Sequence, residues 1–188
     1  MKTELIVHYD TETTGLPVWS VPSDSEEQPH LVQLGAILCN AETKEVVSKF
    51  EVIIKPDGWV IPEEVTAIHG ITTEHALEVG IDEKEAIKML LMLTGESDRC
   101  AYNKTFDQRI IRIGLKRYFT EEEQEKWAEK ENHYCAMQMA RKVLGGKSPK
   151  LEVAYKHFTG KDLENAHTAM ADAEACMEVY FAIEDGEE

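Results

Sequence analysis

Asp10-Thr11-Glu12-Thr13-Thr14-Gly15 is the stretch around which the rest of the chain is arranged. It follows directly on Leu5-Ile6-Val7-His8-Tyr9, a branched and aromatic run that reads as a strand. Strand side chains alternate faces, so Asp10 and Glu12, two apart, project from the same side. Two carboxylates held together at the end of a buried strand repel each other and lose hydration, and a cation between them relieves both costs. An oxygen-loving divalent ion meets that need. A lone Asp-x-Glu equally fits a turn cap beside a solvated glutamate, so the decision rests on residues further along.

At 188 residues the chain reads as one domain, long enough to bury a sizeable core. Its 43% hydrophobic and 30% charged content is that of a soluble globular protein. No apolar run is long enough to cross a bilayer, and Glu4 and His8 interrupt the short N-terminal apolar stretch, so neither a membrane span nor a signal peptide is expected. Cys39, Cys100, Cys135 and Cys176 are widely spaced and form no Cys-x-x-Cys pair. They read as small buried hydrophobes in a reducing compartment, and the expected location is cytoplasmic.

A net charge of −16 argues against nucleic acid as a partner, but its distribution softens the objection. Lys104, Arg109, Arg112, Lys116 and Arg117 face the single acid Asp107 within Lys104–Arg117, and Arg141, Lys142, Lys147 and Lys150 form a second acid-free group. The acids gather elsewhere, at Glu26-Glu27, Glu121–Glu131 and Glu184–Glu188. A basic strip on an acidic body suits local gripping of a phosphate chain, although such runs are also ordinary solvated helix faces.

Working outward, Leu16–His30 reads as a polar loop with Pro17, Pro22 and Pro29. Leu31–Asn40 and Val46–Lys55 read as strands joined in an antiparallel hairpin. A short helix is expected over Pro62–Ile68, and another after an Asp82/Glu85 capping box, to about Leu93. Arg99–Tyr102 reads as a fourth strand, with Asn103 as N-cap of a helix whose Phe106, Ile110 and Ile113 share a face. A charged helix opens at Thr120, a short fifth strand is expected at His133–Cys135, and a helix runs over Met137–Leu144. Ser148 is expected to cap the next helix with Pro149 in its first position, and a final helix spans Thr168–Ile183. Strands early and helices late indicate an α/β fold, a mixed central sheet flanked by helices.

Asp107 falls in the first turn of its helix, where the dipole favours negative charge. His167 and Asp172 lie five apart, a spacing that splays side chains within a helix, so His167 is expected on the entering loop and Asp172 in the helix's second turn.

Segments placed in order along the chain resemble the DEDDh family of 3′→5′ exonucleases, which contains the proofreading subunit of bacterial DNA polymerase III, ribonuclease T and oligoribonuclease. Asp10-x-Glu12-x-Thr14-Gly15 resembles its first motif, Asn103-x-x-Phe106-Asp107 its second and His167-x-Ala169-x-x-Asp172 its third; Ile68-His69-Gly70-Ile71-Thr72 and Val32-Gln33-Leu34-Gly35 resemble segments of the proofreading members. Each motif alone is weak, but their order across residues 5 to about 180 is specific. The chain departs from the pattern in its longer Leu16–Leu31 loop, in Tyr102 where the family usually has His, and in ending without a polymerase-binding tail.

The resemblance implies a ribonuclease H-like fold, a single exonuclease domain over residues 1–188, and removal of nucleoside 5′-monophosphates from the 3′ end of single-stranded DNA, in proofreading or DNA processing. It implies two Mg²⁺ ions, with Mn²⁺ as substitute, held by Asp10, Glu12, Asp107 and Asp172, and His167 as general base. Softer implications are contacts of Thr13, Thr14 and Leu16 with the terminal nucleotide, and His69 in the same pocket or as a turn stabiliser; a polymerase partner is left open by the sequence. Trp19 and Trp59 sit in loops where indoles can stack bases. An exoribonuclease or oligoribonuclease is the alternative substrate reading. A binding module without catalysis is the alternative of another class, against which stand four carboxylates and a histidine all present. A ribonuclease H-type endonuclease would not need His167 five residues before Asp172.

Overall fold

β1 (Leu5–Thr13) is the central strand, which is why its first residues are apolar on both faces. The computed structural model describes residues 4–186. β1 pairs antiparallel with β2 (Leu31–Asn40) and parallel with β4 (Asp98–Ala101), giving a mixed sheet ordered β3-β2-β1-β4-β5. β3 (Val46–Ile53) is the hairpin partner of β2, and β5 (His133–Cys135) runs parallel to β4.

Helices cover both faces. Val7 and Tyr9 point to the side packed by α3 (Glu83–Thr94) and α4 (Lys104–Tyr118), with Ile87, Leu90, Ile110 and Ile111 in that core. Ile6 points to the other, where α6 (Ala136–Leu144), α7 (Leu151–Thr159) and α8 (Ala169–Gly186) supply Ala140, Ala154, Cys176 and Val179. Alternation along β1 therefore sends Asp10 and Glu12 toward α8, and Thr11 toward α4. Two short helices, α1 (Glu63–His69) and α2 (Thr73–Val79), follow β3, and α5 (Glu121–Ala128) precedes β5.

Several boundaries differ from those the sequence suggests. β1 continues through the carboxylate stretch to Thr13, because Asp10 to Glu12 keep pairing with Gly35 to Gln33 of β2. α2 was not anticipated; its signal is Thr72, whose side chain accepts the His75 N–H. Neither Asp82 nor Asn103 makes a side-chain cap bond, and the capping box that forms is Thr120/Glu123 at the start of α5. α7 begins at Leu151 after Lys150, two residues later than Ser148-Pro149 indicates; the Pro149 carbonyl instead accepts the Tyr102 hydroxyl at 2.8 Å. Cys100 and Cys176 lie side by side between the sheet and α8, their sulfurs 3.8 Å apart. Among the described residues no helix is long and apolar enough to cross a membrane.

Candidate active site

Asp10, Glu12, Asp107, His167 and Asp172 line one cleft of about 200 Å³, together with Thr11, Tyr102, Asn103, Phe106 and Leu151. Four devices bring the five there. Asp10 and Glu12 come from successive inward positions of β1. Asp107 sits in the first turn of α4, almost fully buried, and its Oδ1 accepts both the Thr11 backbone N–H at 3.1 Å and the Thr11 hydroxyl at 2.8 Å. The residue between the two strand carboxylates thus fixes a third.

Asp172 is placed by the start of α8, which the sheet itself holds. Gln33 Oε1 accepts the Ala169 N–H at 3.0 Å, and Glu51 Oε1 accepts the Met170 N–H at 2.9 Å. Helix-start amides normally need a local cap; these are satisfied from β2 and β3. Gly35 lies opposite both Asp10 and Glu51 in the strand registers. A Cβ there would stand 2.6 Å from the Ala169 carbonyl carbon, so only glycine lets α8 rest this close to the sheet. Because α8 starts at Ala169, Asp172 occupies its first turn, one turn earlier than the sequence suggests.

His167 stands outside the helix on the entering loop, as its spacing from Asp172 indicates, with a left-handed φ of 71°. Its backbone N–H donates to Asp172 Oδ1 at 3.4 Å, and its ring is exposed. One ligand atom each from Glu12, His167 and Asp172 lie within 4.8 Å of one another.

The electrostatics describe a site short of positive charge. Burial, then the charges of Asp107, Asp172 and Glu12, raise the Asp10 carboxyl well above its ordinary range. Burial, then Asp172 and Asp107, push Glu12 up to about 8. Burial pushes Asp107 up to about 7 against the Thr11 hydrogen bonds, and burial raises Asp172 against the pull of His167. Among the described residues the side-chain donors lining the cleft are chiefly oxygens, four carboxylates foremost, with one imidazole and no thiol, a set suited to a hard divalent cation.

The four softer candidates do not line this cleft. Thr13 Oγ1 donates to the Gly15 carbonyl at 2.7 Å, and Thr14 exchanges bonds with His30 through its N–H and its hydroxyl, so both side chains hold the chain's exit from β1. Leu16 is 78% exposed. His69 Nδ1 accepts the Ile71 N–H at 3.1 Å, which stabilises the turn after α1 and leaves Nε2 to carry the proton of the neutral ring. Burial lowers its pKa against the Thr13 backbone, and His167 lowers it further. The sequence reading missed Thr11, Tyr102, Asn103 and Leu151 as lining groups; the Thr11 alternation, out of phase with the carboxylates, was the available signal for one of them.

The basic strip is partly structural. Lys104 Nζ donates to the His133 carbonyl at 2.7 Å, and Arg117 donates to the Gln28 carbonyl at 2.9 Å and to Glu83. Trp59 stacks on His30 with centroids 4.6 Å apart, so that ring face is taken.

The RNase T exonuclease family profile matches residues 7–180. The chain belongs to this exonuclease family. No curated protein matches this exonuclease chain. Among solved structures it is similar to E. coli exonuclease I in complex with a dA16 oligonucleotide (TM-score 0.77, 21% identity, 97% of this chain and 41% of that one). It is likewise similar to the zinc-bound E. coli exonuclease I–single-stranded DNA complex (TM-score 0.76, 22% identity, 99% and 41%). A moderately thermophilic exonuclease I from Methylocaldum szegediense aligns with TM-score 0.74 and 23% identity over 97% and 41%. This exonuclease chain thus spans about two fifths of the length of those proteins. They share its ribonuclease H-like mixed sheet with helices on both faces.

Proposed function

We propose that the chain is a metal-dependent 3′→5′ exonuclease that releases nucleoside 5′-monophosphates from the 3′ end of single-stranded DNA. The observation that carries this reading is the convergence of Asp10, Glu12, Asp107, Asp172 and His167 on one cleft, with carboxyl pKa values raised by burial and mutual repulsion. The carboxylates would hold two Mg²⁺ ions, with Mn²⁺ as substitute. When bound, the ions supply the charge neutralisation that phosphodiester hydrolysis needs at the attacking and leaving oxygens.

The chain's residues supply placement and proton transfer. Asp10, central in the electrostatic cluster, faces all three other carboxylates. Thr11 keeps Asp107 from swinging, and the sheet-held start of α8 fixes Asp172. The His167 imidazole, in its neutral form, accepts the proton of the attacking water and passes it to bulk solvent from its exposed position. The Thr13 and Thr14 backbone, exposed Leu16 and the His69 ring are proposed to contact the terminal nucleotide. Single-stranded DNA as substrate is supported by the oligonucleotide complexes of the similar exonuclease I structures.

The test uses matched DNA and RNA 16-mers labelled at the 5′ end, with Mg²⁺ or EDTA. A ladder shortening from the 3′ end, mononucleotide product and faster loss of DNA are expected, with none in EDTA. Internal cuts, a shift without cleavage, or turnover in excess EDTA overturn the reading, and faster loss of RNA overturns the substrate choice.

A further inference from the structure

The first turns of α4 separate the catalytic cleft from a second one. Phe106 and Asp107 face the first, whereas Thr105 and Gln108, their immediate neighbours, line the second, of about 240 Å³. Its wall also holds Trp19, Arg109, Arg112 and Lys130, and among the described residues no acidic one lines it, on a chain of net charge −16.

Arg109 and Arg112 are one helical turn apart, a repulsive spacing for like charges. Among the described residues neither arginine nor Lys130 forms an ion pair, whereas Arg117, Lys126 and Lys161 do. Arg109 spends one donor on the Val21 carbonyl, at 2.7 Å, and its Nε is buried without a partner. Positive charge is concentrated there and left uncompensated.

Trp19 gives the cleft an aromatic wall. It is 57% exposed, and the Arg109 guanidinium lies 5.7 Å from its ring centroid. Trp127 is buried and Trp59 is covered by His30, so among the three indoles only Trp19 offers an open face. Its loop is held in advance: the buried Gln28 side chain bonds the Val18 N–H and the carbonyls of Val18, Val21 and Pro22. An exposed ring on an ordered loop beside unpaired cations matches what a base and its phosphates require.

We propose that this cleft binds the single strand a few nucleotides 5′ of the scissile phosphate, one base stacked on Trp19 and the flanking phosphates on Arg109, Arg112 and Lys130. The inference rests on the exonuclease reading for its position in the strand: the two clefts lie on either side of one helix, about 10 Å across.

The test is equilibrium binding of labelled dT16 and dT3 in EDTA, with Trp fluorescence followed in parallel. Trp19→Ala should weaken dT16 roughly tenfold, within the range for loss of one stacked base. It should leave dT3, too short to leave the catalytic cleft, within twofold, and should abolish the fluorescence quench. Arg112→Gln/Lys130→Gln should lower the slope of log affinity against log salt by about 1.4, the value for two phosphates on a single strand. Trp19→Phe, which keeps a ring, should bind between wild type and Trp19→Ala and guards against misfolding. Unchanged dT16 affinity, equal loss for dT3, or dTMP quenching as strongly as dT16 (a mononucleotide site) overturns the proposal. Because binding is read without turnover, a Trp19-dependent strand site in a protein that cleaves nothing sinks the exonuclease reading alone. Cleavage with variants that bind like wild type sinks the cleft alone.

Discussion

Replacing Glu12 with Gln should make the metal-free protein more stable at alkaline pH while abolishing catalysis. The Glu12 carboxyl is pushed from 4.5 to about 8, first by burial and then by Asp172 and Asp107. A displacement of that size corresponds to about 5 kcal/mol between the two protonation states. Residual solvent contact and the shared titration with its neighbours reduce this, leaving about 2–4 kcal/mol for the substitution. A raised folded pKa stabilises the protein below the unfolded value and loses that contribution as pH rises through the folded one. Wild type without metal should therefore melt higher at pH 5 than at pH 8.5. Glu12→Gln should lack most of that decline and exceed wild type at pH 8.5 by roughly 5–12 °C, the shift expected for this energy in a chain of this size. At pH 4.5 the two should nearly coincide. Adding Mg²⁺ at pH 8.5 should raise the wild-type melting temperature by mass action and leave the variant's almost unmoved. A variant melting below wild type across the range, or gaining as much from Mg²⁺, would refute both the charge cluster and its metal role.

Asp10→Asn and Asp172→Asn should abolish strand shortening in gel assays without lowering the metal-free melting temperature, since each removes a charge from the same cluster. His167→Ala should lose about 10²–10⁴ in turnover. It should keep the Mg²⁺-induced rise in melting temperature; turnover at the wild-type rate would make His167 structural. Gly35→Ala pushes a Cβ into the Ala169 carbonyl, and should cost about 1–3 kcal/mol in denaturant titration. It should also cost about 10²-fold in rate by displacing Asp172. Arg117→Ala leaves Glu83, only 6% exposed, without its cation and frees the Gln28 carbonyl. Loss of about 3 kcal/mol is expected, with no rescue by Lys, whose single point charge cannot serve both acceptors.

What could be read from the sequence is what local chemistry determines. Alternation on one strand put Asp10 and Glu12 together, the first turn of α4 received Asp107, and the awkward spacing of His167 and Asp172 pointed to a loop beside a helix start. The unread part depends on partners far away in the chain. Thr11 reaches Asp107 across 96 residues, and Gln33 and Glu51 cap a helix 136 and 119 residues later. Leu16–His30 reads only as a polar loop because its order comes from one buried amide, Gln28, and from arginines on α4. The run of basic residues on α4 divides in a way its sequence does not mark: Arg117 and Lys104 hold backbone carbonyls, while among the described residues Arg112 forms no ion pair.

The sheet-held start of α8 also has a consequence for the order in which the chain assembles. Its Ala169 and Met170 amides find their acceptors on β2 and β3, whereas those of Ala171 and Asp172 bond locally to Thr168, so the turn is satisfied in full only once the hairpin has paired. Contacts of such sequence separation form late, because the loop entropy must be lost before the bonds are gained. Three carboxylates, Asp10, Glu12 and Asp107, belong to earlier elements, and Asp172 arrives with the last helix. On the proposed metal role, a folding chain would carry an incomplete donor set until its final docking step, and cation capture and native closure would be one event. Refolding should then be monophasic in its last step when followed by Mg²⁺ uptake and by α8 protection alike.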